Sequence, residues 1–263
     1  MSSHGFDPTR PQAQPLGGPT VLLGYGGLRL LTDPTFDPPG VYPRGRYNLT
    51  KTAGPALSID EIGPIDVVLL SHDHHPDNLD TAGRAFLARV PLVLTTVSGA
   101  ERLGNGATPL PQWAFVEVPR PDGGSVRITG VPAQHGPDGT DHLTGEVTGF
   151  VLSGAGLPTV YISGDNASLA VVRAISDRVG PVDSAILFAG AAQSPLLGDA
   201  HLTLNGQGAA AAAQILGARR VLPVHVDGWA HFSEGVDEVR RAFRDPELAN
   251  RLILAGPGTT VDL

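Results

Sequence analysis

What most limits the fold of this chain is a short apolar run that empties into a turn crowded with ligand side chains. Val67-Val68-Leu69-Leu70 is continuously apolar, as a strand covered on both faces is. Ser71-His72-Asp73-His74-His75-Pro76-Asp77-Asn78-Leu79-Asp80 follows at once. Side chains repeat every second residue in extended chain, so an extended stretch here projects His72 and His74 to one side. Two imidazoles at the end of a buried strand form a metal clamp. A polar turn with incidental histidines is the rival reading, and it accounts less well for so dense a cluster.

The rest of the composition narrows what such a clamp serves. With 263 residues the chain fits one large α/β domain at least as well as two small ones. A net charge of -8 argues against nucleic acid as partner, since phosphate backbones need clustered Lys and Arg. No apolar run reaches the roughly eighteen residues of a membrane span, and the N-terminus lacks an apolar signal core. The expectation is a cytoplasmic protein without a membrane span, acting on a small-molecule substrate, with the oligomeric state, a homo-oligomer included, left open. The chain has no cysteine, so a metal must be held by His and carboxylate, with Asn or water as extras. That donor set suits a divalent ion such as zinc, manganese or iron.

Residues 1–18, rich in Pro, Gly, Gln and Ser, read as a flexible leader before a single domain over 19–263. Thr20–Leu23 and Leu28–Thr32 are apolar runs joined by Gly24-Tyr25-Gly26-Gly27, a hairpin signal. Residues 36–58 show neither helical nor strand pattern and read as a lid or substrate loop. Arg44, Arg46 and Lys51 on it are available to an anionic group, although exposed basic residues on a loop are more often plain solvated charges. Helices are expected over Leu79–Val90, Asn166–Val179, Gly208–Leu216 and Val236–Phe243. Strands are expected at Leu92–Thr95, Phe115–Val118, Ser125–Val131, Val147–Leu152, Thr159–Ile162, Ser184–Phe188 and Arg220–Val224, with late strands at Leu252–Leu254 and Thr260–Leu263. The sum favours an α/β (α+β) chain of two mixed sheets covered by helices.

Four further groups sit where strands end: Asp33, His135, Asp165 and His225. Any one alone is more simply a turn residue, but strand ends converge on one sheet edge, where groups distant in sequence meet.

Leu31-Thr32-Asp33-Pro34, Ile65 to His74, Ala133-Gln134-His135, Ile162-Ser163-Gly164-Asp165 and Pro223-Val224-His225, in that order, resemble the metallo-β-lactamase superfamily. Within it they resemble the branch holding L-ascorbate-6-phosphate lactonase and the N-acylphosphatidylethanolamine phospholipase D-like hydrolases. The resemblance implies a four-layer αββα sandwich with a metal centre at one edge, holding one or two ions per chain. It implies that His72, His74 and His135 hold the first metal, that Asp165 bridges, that Asp77 and His225 serve the second, and that Asp33 orients a ligand from behind. The chain departs from the family turn His-x-His-x-Asp-His-Leu-Asp by one inserted residue and by Asn78 at the second-site histidine. Asn offers a poorer ligand than imidazole. His75 either bends in to replace that ligand or stands in solvent or behind the site.

The resemblance further implies hydrolysis of a small ester, lactone or phosphoester by metal-activated water. Asp77 is expected to orient that water or take its proton, and His201 to contact substrate or donate to the leaving group. Trp229 and His231 are expected to line the pocket. The alternative is a non-hydrolytic metal-binding member doing redox or isomerisation chemistry or sensing a ligand.

Overall fold

The computed structural model describes residues 5–104 and 106–263. It opens with three antiparallel strands, β1 (Gln12–Gly17), β2 (Thr20–Tyr25) and β3 (Leu28–Thr32). Gly26 and Gly27, at φ 60° and 79°, turn β2 into β3 with the paired left-handed conformations that a two-residue hairpin needs. A separate hairpin follows, β4 (Gly40–Arg44) and β5 (Tyr47–Lys51). Next come β6 (Val67–Leu69), the ligand turn, α1 (Thr81–Phe86), β7 (Leu92–Thr95), α2 (Val97–Leu103) and β8 (Thr108–Pro109). The second half runs β9 (Phe115–Pro119), β10 (Ser125–Pro132), α3 (Asp141–Thr144), β11 (Thr148–Gly154), β12 (Leu157–Ile162) and α4 (Leu169–Val179). It ends with β13 (Ser184–Phe188), α5 (Gly206–Ile215), β14 (Arg220–Val224), α6 (Val236–Ala242), α7 (Pro246–Ala249) and β15 (Val261–Asp262).

Two mixed sheets result, one ordered β15-β1-β2-β3-β6-β7-β8 and the other β14-β13-β12-β11-β10-β9. The period of two in each strand divides its side chains between two layers. Val67 and Leu69 of β6 face the core between the sheets, where they meet Ile186 and Phe188 of β13. Val68 and the following Leu70 face outward, onto Leu79 and Phe86 around α1. Ala185 and Leu187 of β13 likewise face outward, packing with Val172 and Ile175 of α4 and with the alanines of α5. Burying one such aliphatic side chain contributes about 1.5–3 kcal/mol, so one-residue register slips are strongly disfavoured. The architecture is the αββα sandwich of two mixed sheets. Among the described residues no helix is long and apolar enough to cross a membrane.

Three expectations fail. No strand forms at Leu252–Leu254, where Leu252 makes an isolated bridge to Val221. The leader reading does not hold for Gln12–Gly17, which pairs with β2 on one side and β15 on the other; residues 1–4 lie outside the described residues. Residues 36–58 are not irregular throughout, since they carry the β4–β5 hairpin. Lys51 at its end is buried with Nζ 2.9 Å from Asp80 Oδ2. Asp80 also caps α1 by accepting from Gly83 N–H at 2.8 Å, which ties the hairpin to the ligand turn.

Candidate metal centre

The strands β3, β6, β10, β12 and β14 each deliver one polar residue or cluster just beyond their ends, at one edge of the sandwich. Asp33 follows β3 with φ 29°, a strained conformation of the kind found at functional sites. Its carboxylate accepts from Ser71 N–H at 2.6 Å and from Ser71 Oγ at 2.7 Å. The Ser71 oxygen lies 3.0 Å from His72 Nδ1. With the serine proton given to Asp33, that oxygen can only accept, so His72 Nδ1 carries the hydrogen and Nε2 keeps its lone pair. His135 reaches the same state by another route: its Nδ1 donates to the Leu202 carbonyl at 2.8 Å.

These two prepared nitrogens converge on His75. Its Nδ1 lies 3.0 Å from His72 Nε2 and 3.3 Å from His135 Nε2. The nitrogens of His72, His75 and His135 lie within 4.8 Å of one another. Burial, then the neighbouring imidazoles His75 and His135, holds His72 well below the ordinary histidine range. Burial, then His135, pushes His75 down to about 3. Neutral imidazole is the form that ligates metal.

A second set, Asp77, Asp165 and His225, is entirely buried and equally close. His225 Nε2 is 3.4 Å from Asp77 Oδ2, and its Nδ1 is 3.9 Å from Asp165 Oδ1. Asp165 Oδ2 is 3.5 Å from His135 Nε2, so this carboxylate touches both sets. His225 has φ 59°, and its N–H donates to the Gly18 carbonyl at 2.8 Å. A Cβ at Gly190 would lie 2.0 Å from the His225 carbonyl oxygen, so glycine is required beneath this ligand. Burial pulls His225 down, but Asp165 and Asp77 outweigh it and raise its pKa. For Asp77 burial pushes upward, and His231 and His225 together overcome it, holding the carboxyl well below its usual range. Asp33 is raised to about 7 by burial, against the hydrogen bonds from Ser71 and Asn78.

Asp77 Oδ1, Asp165 Oδ2 and both ring nitrogens of His225 are buried without a hydrogen-bond partner. So many orphaned polar atoms carry a large desolvation cost, and a shared cation bound to their lone pairs would remove much of it. Nitrogen and carboxylate donors without sulfur fit a zinc-, manganese- or iron-like divalent ion. Asn78 is buried, with Nδ2 donating to Asp33 Oδ2 at 3.1 Å and to Asp165 Oδ1 at 3.2 Å. Its amide holds the carboxylates from behind.

His74 is expected in the first set, yet the structure groups His75 there instead. The ring of His74 is 6.1 Å from that of His72, and its Nδ1 is 3.9 Å from Asp73 Oδ1. The alternation argument fails because β6 ends at Leu69 and residues 73–79 bend and turn. The inserted residue of the family turn thus falls before the second histidine, not after it. Asp73 fixes this bend, since Arg102 grips both its carboxylate oxygens, with Nε at 3.0 and 3.1 Å. His201 is not brought to the cleft either; it lines a separate cavity with Ala167, Thr203 and Gln207. Trp229 is buried against Tyr42 and Lys51, where it backs the hairpin. His231 does line the cleft, and its Nε2 stands 3.0 Å from Asp77 Oδ2. That pairing joins residues 154 apart in sequence and has no local signal.

Two helix-flanked sheets with His and Asp ligands gathered at one edge define a metallohydrolase-type sandwich. The chain belongs to the family of the beta-lactamase superfamily domain, whose model matches residues 28–226. It is similar to a UPF0173 metal-dependent hydrolase of Pyrococcus abyssi, 26% identical over 214 residues, which span 78% of this chain and 84% of that one. Among solved structures it resembles the isothiocyanate hydrolase from Delia radicum gut bacteria, with TM-score 0.78 and 19% identity over 95% of this chain and 98% of that one. It also resembles CmlA, a diiron beta-hydroxylase from Streptomyces venezuelae, with TM-score 0.66 and 17% identity over 97% of this chain and 54% of that one.

Proposed function

We propose that this chain is a divalent-metal-dependent hydrolase of a small ester, lactone or phosphoester. The observation that carries the reading is the convergence of His72, His75 and His135 beside Asp77, Asp165 and His225, with buried ligand atoms left unpartnered. Divalent ions held there, zinc first among those the donor set suits, would lower the pKa of a water from about 15.7 toward roughly 7 and polarise an electrophilic oxygen. Asp77 holds His231 by a 3.0 Å contact at the cleft wall. This pair, in place of His201, is positioned to take a proton from the attacking water and return it to the leaving group. The Asp33–Ser71–His72 chain fixes the tautomer of one ligand, and the Leu202 carbonyl fixes that of another. The UPF0173 name of the P. abyssi relative supports metal-dependent hydrolysis. The lactonase and phospholipase D-like branch supports only the choice of bonds to test.

Elemental analysis paired with a screen of esters, lactones, phosphoesters and an alkyl isothiocyanate tests this. Turnover that tracks bound metal and disappears in His72→Ala and Asp165→Ala is expected. Hydrolysis by metal-free protein, or indifference to both substitutions, contradicts it. A second reading, oxygen-dependent iron chemistry, draws on the all-nitrogen-and-oxygen donor set and on the fold shared with the diiron enzyme CmlA. Retained iron with oxygen consumption and no hydrolysis would establish that reading instead.

A further inference from the structure

The cleft where both ligand sets surface has a chemical bias beyond the reaction class. It is a narrow cleft open to solvent, and His75, His135, Asp77 and His231 line it together with Thr144, Gln193 and Ser194. Its apolar lining comes from Tyr47 and Leu49 of β5, Leu143 of α3, and Leu196, Leu197 and Leu202 from the segment between β13 and α5. Among the described residues that line it, none is Lys or Arg. Leu143 and Leu196 are 46% and 52% exposed, so the apolar lining continues outward to the rim. Five leucines lining one cleft, two of them left in water, mark a binding surface rather than chance exposure.

Resting on the hydrolase reading, we propose that the substrate is uncharged and carries an apolar substituent, an acyl or alkyl chain lying against Leu143, Leu196 and Leu197. A phosphoester anion would engage the proposed ions with one or two oxygens, but its remaining charged oxygen would lie against leucines with no guanidinium or ammonium among the lining residues to replace its water. Arg44 and Arg84 line a different cavity, which shares His75 with the cleft but lacks Asp77 and His135. Each methylene that fits such a pocket is worth about 10-fold or more in specificity.

The metal-loaded protein would be assayed with p-nitrophenyl acetate, butyrate and hexanoate and with bis(p-nitrophenyl) phosphate. Binding of hexanamide and of methyl phosphate would be measured by calorimetry. The expected result is a kcat/KM that rises by about 10-fold or more from acetate to hexanoate, exceeds that for the phosphodiester, and is matched by tighter binding of hexanamide than of methyl phosphate. In Leu196→Asp, exposed enough to be tolerated, the hexanoate-to-acetate ratio falls toward one and hexanamide binding is lost. If nothing is hydrolysed yet hexanamide binds and Leu196→Asp loses it, the hydrolase reading falls and this one stands. Turnover independent of chain length, absent or weaker hexanamide binding, or a phosphodiester preference abolished by Arg44→Ala would overturn it.

Discussion

Ser71 has the smallest side chain in the ligand turn and carries much of its order. Its hydroxyl gives its proton to Asp33 and receives that of His72, so Ser71→Ala leaves both groups buried and frees the His72 ring to adopt the wrong tautomer. Losses of such supporting contacts typically cost about 10–100-fold in metal affinity. That weakening, with the fold retained, is expected in a chelator competition titration; unchanged affinity would show that the tautomer is set elsewhere. His75 gives a pH signature. Its folded value of about 3 lies below the ordinary histidine value of 6.5, so the fold disfavours the proton. Its contribution to stability is full above about pH 6.5 and is lost as pH falls toward 3. In metal-free protein the melting temperature of His75→Gln should therefore fall less steeply than wild type across that window. A gap between the two that stays constant with pH would contradict the assignment.

At the scale of elements, the hairpin and the ligand turn behave as one unit. Lys51 of β5 meets Asp80 at 2.9 Å, both buried, and Asp80 also accepts from the N–H of Asp37 at 2.7 Å. Asp37 in turn receives the N–H of Thr81 and Ala82 and the hydroxyl of Tyr42. Removing one member of a buried pair costs about 3–5 kcal/mol, and Lys51→Met is expected to lose stability on that scale in denaturant unfolding. A loss near zero would mean that Asp80 is satisfied without the cation. The strands that carry ligands were legible in the sequence because each joins an apolar run to a strand-end His or Asp: Val67 to His72, Ile162 to Asp165, Val224 to His225. The hairpin was not, since Gly40, Pro43 and Gly45 break the pattern of β4 and its turn. Nor was β1, where Pro15 and Gly17, with Pro11 just before the strand, read as disorder while its partner Asp262 lies 250 residues beyond Gln12.

At the scale of the whole molecule, two mixed sheets covered by helices followed from the spread of strands and helices along the chain, the αββα layering from the family resemblance, and the edge location of the site from where strands stop. What the sequence could not supply was the path of the chain after the last strand residue. His74 and His75 are adjacent, equally suitable in chemistry, and sorted by a bend that Arg84 of α1 and Arg102 of α2 hold through Asp73; α2 is a short helix with Gly99 inside it and no clear periodic signal. The ligand sets join both sheets, because His72 follows β6 of one and Asp165 follows β12 of the other. Metal held as proposed would therefore stabilise the whole sandwich by mass action. Chelation should lower the melting temperature, and restoring zinc, manganese or iron should recover it; a melting temperature indifferent to metal would argue against ligation across the sheets.

The central claim is that the metal centre is built with His75 and not His74. Metal content per chain, measured side by side in wild type, His75→Ala and His74→Ala, tests it most directly. The structure predicts that His75→Ala loses metal while His74→Ala retains it at the wild-type level; metal lost from His74→Ala and kept by His75→Ala would contradict it.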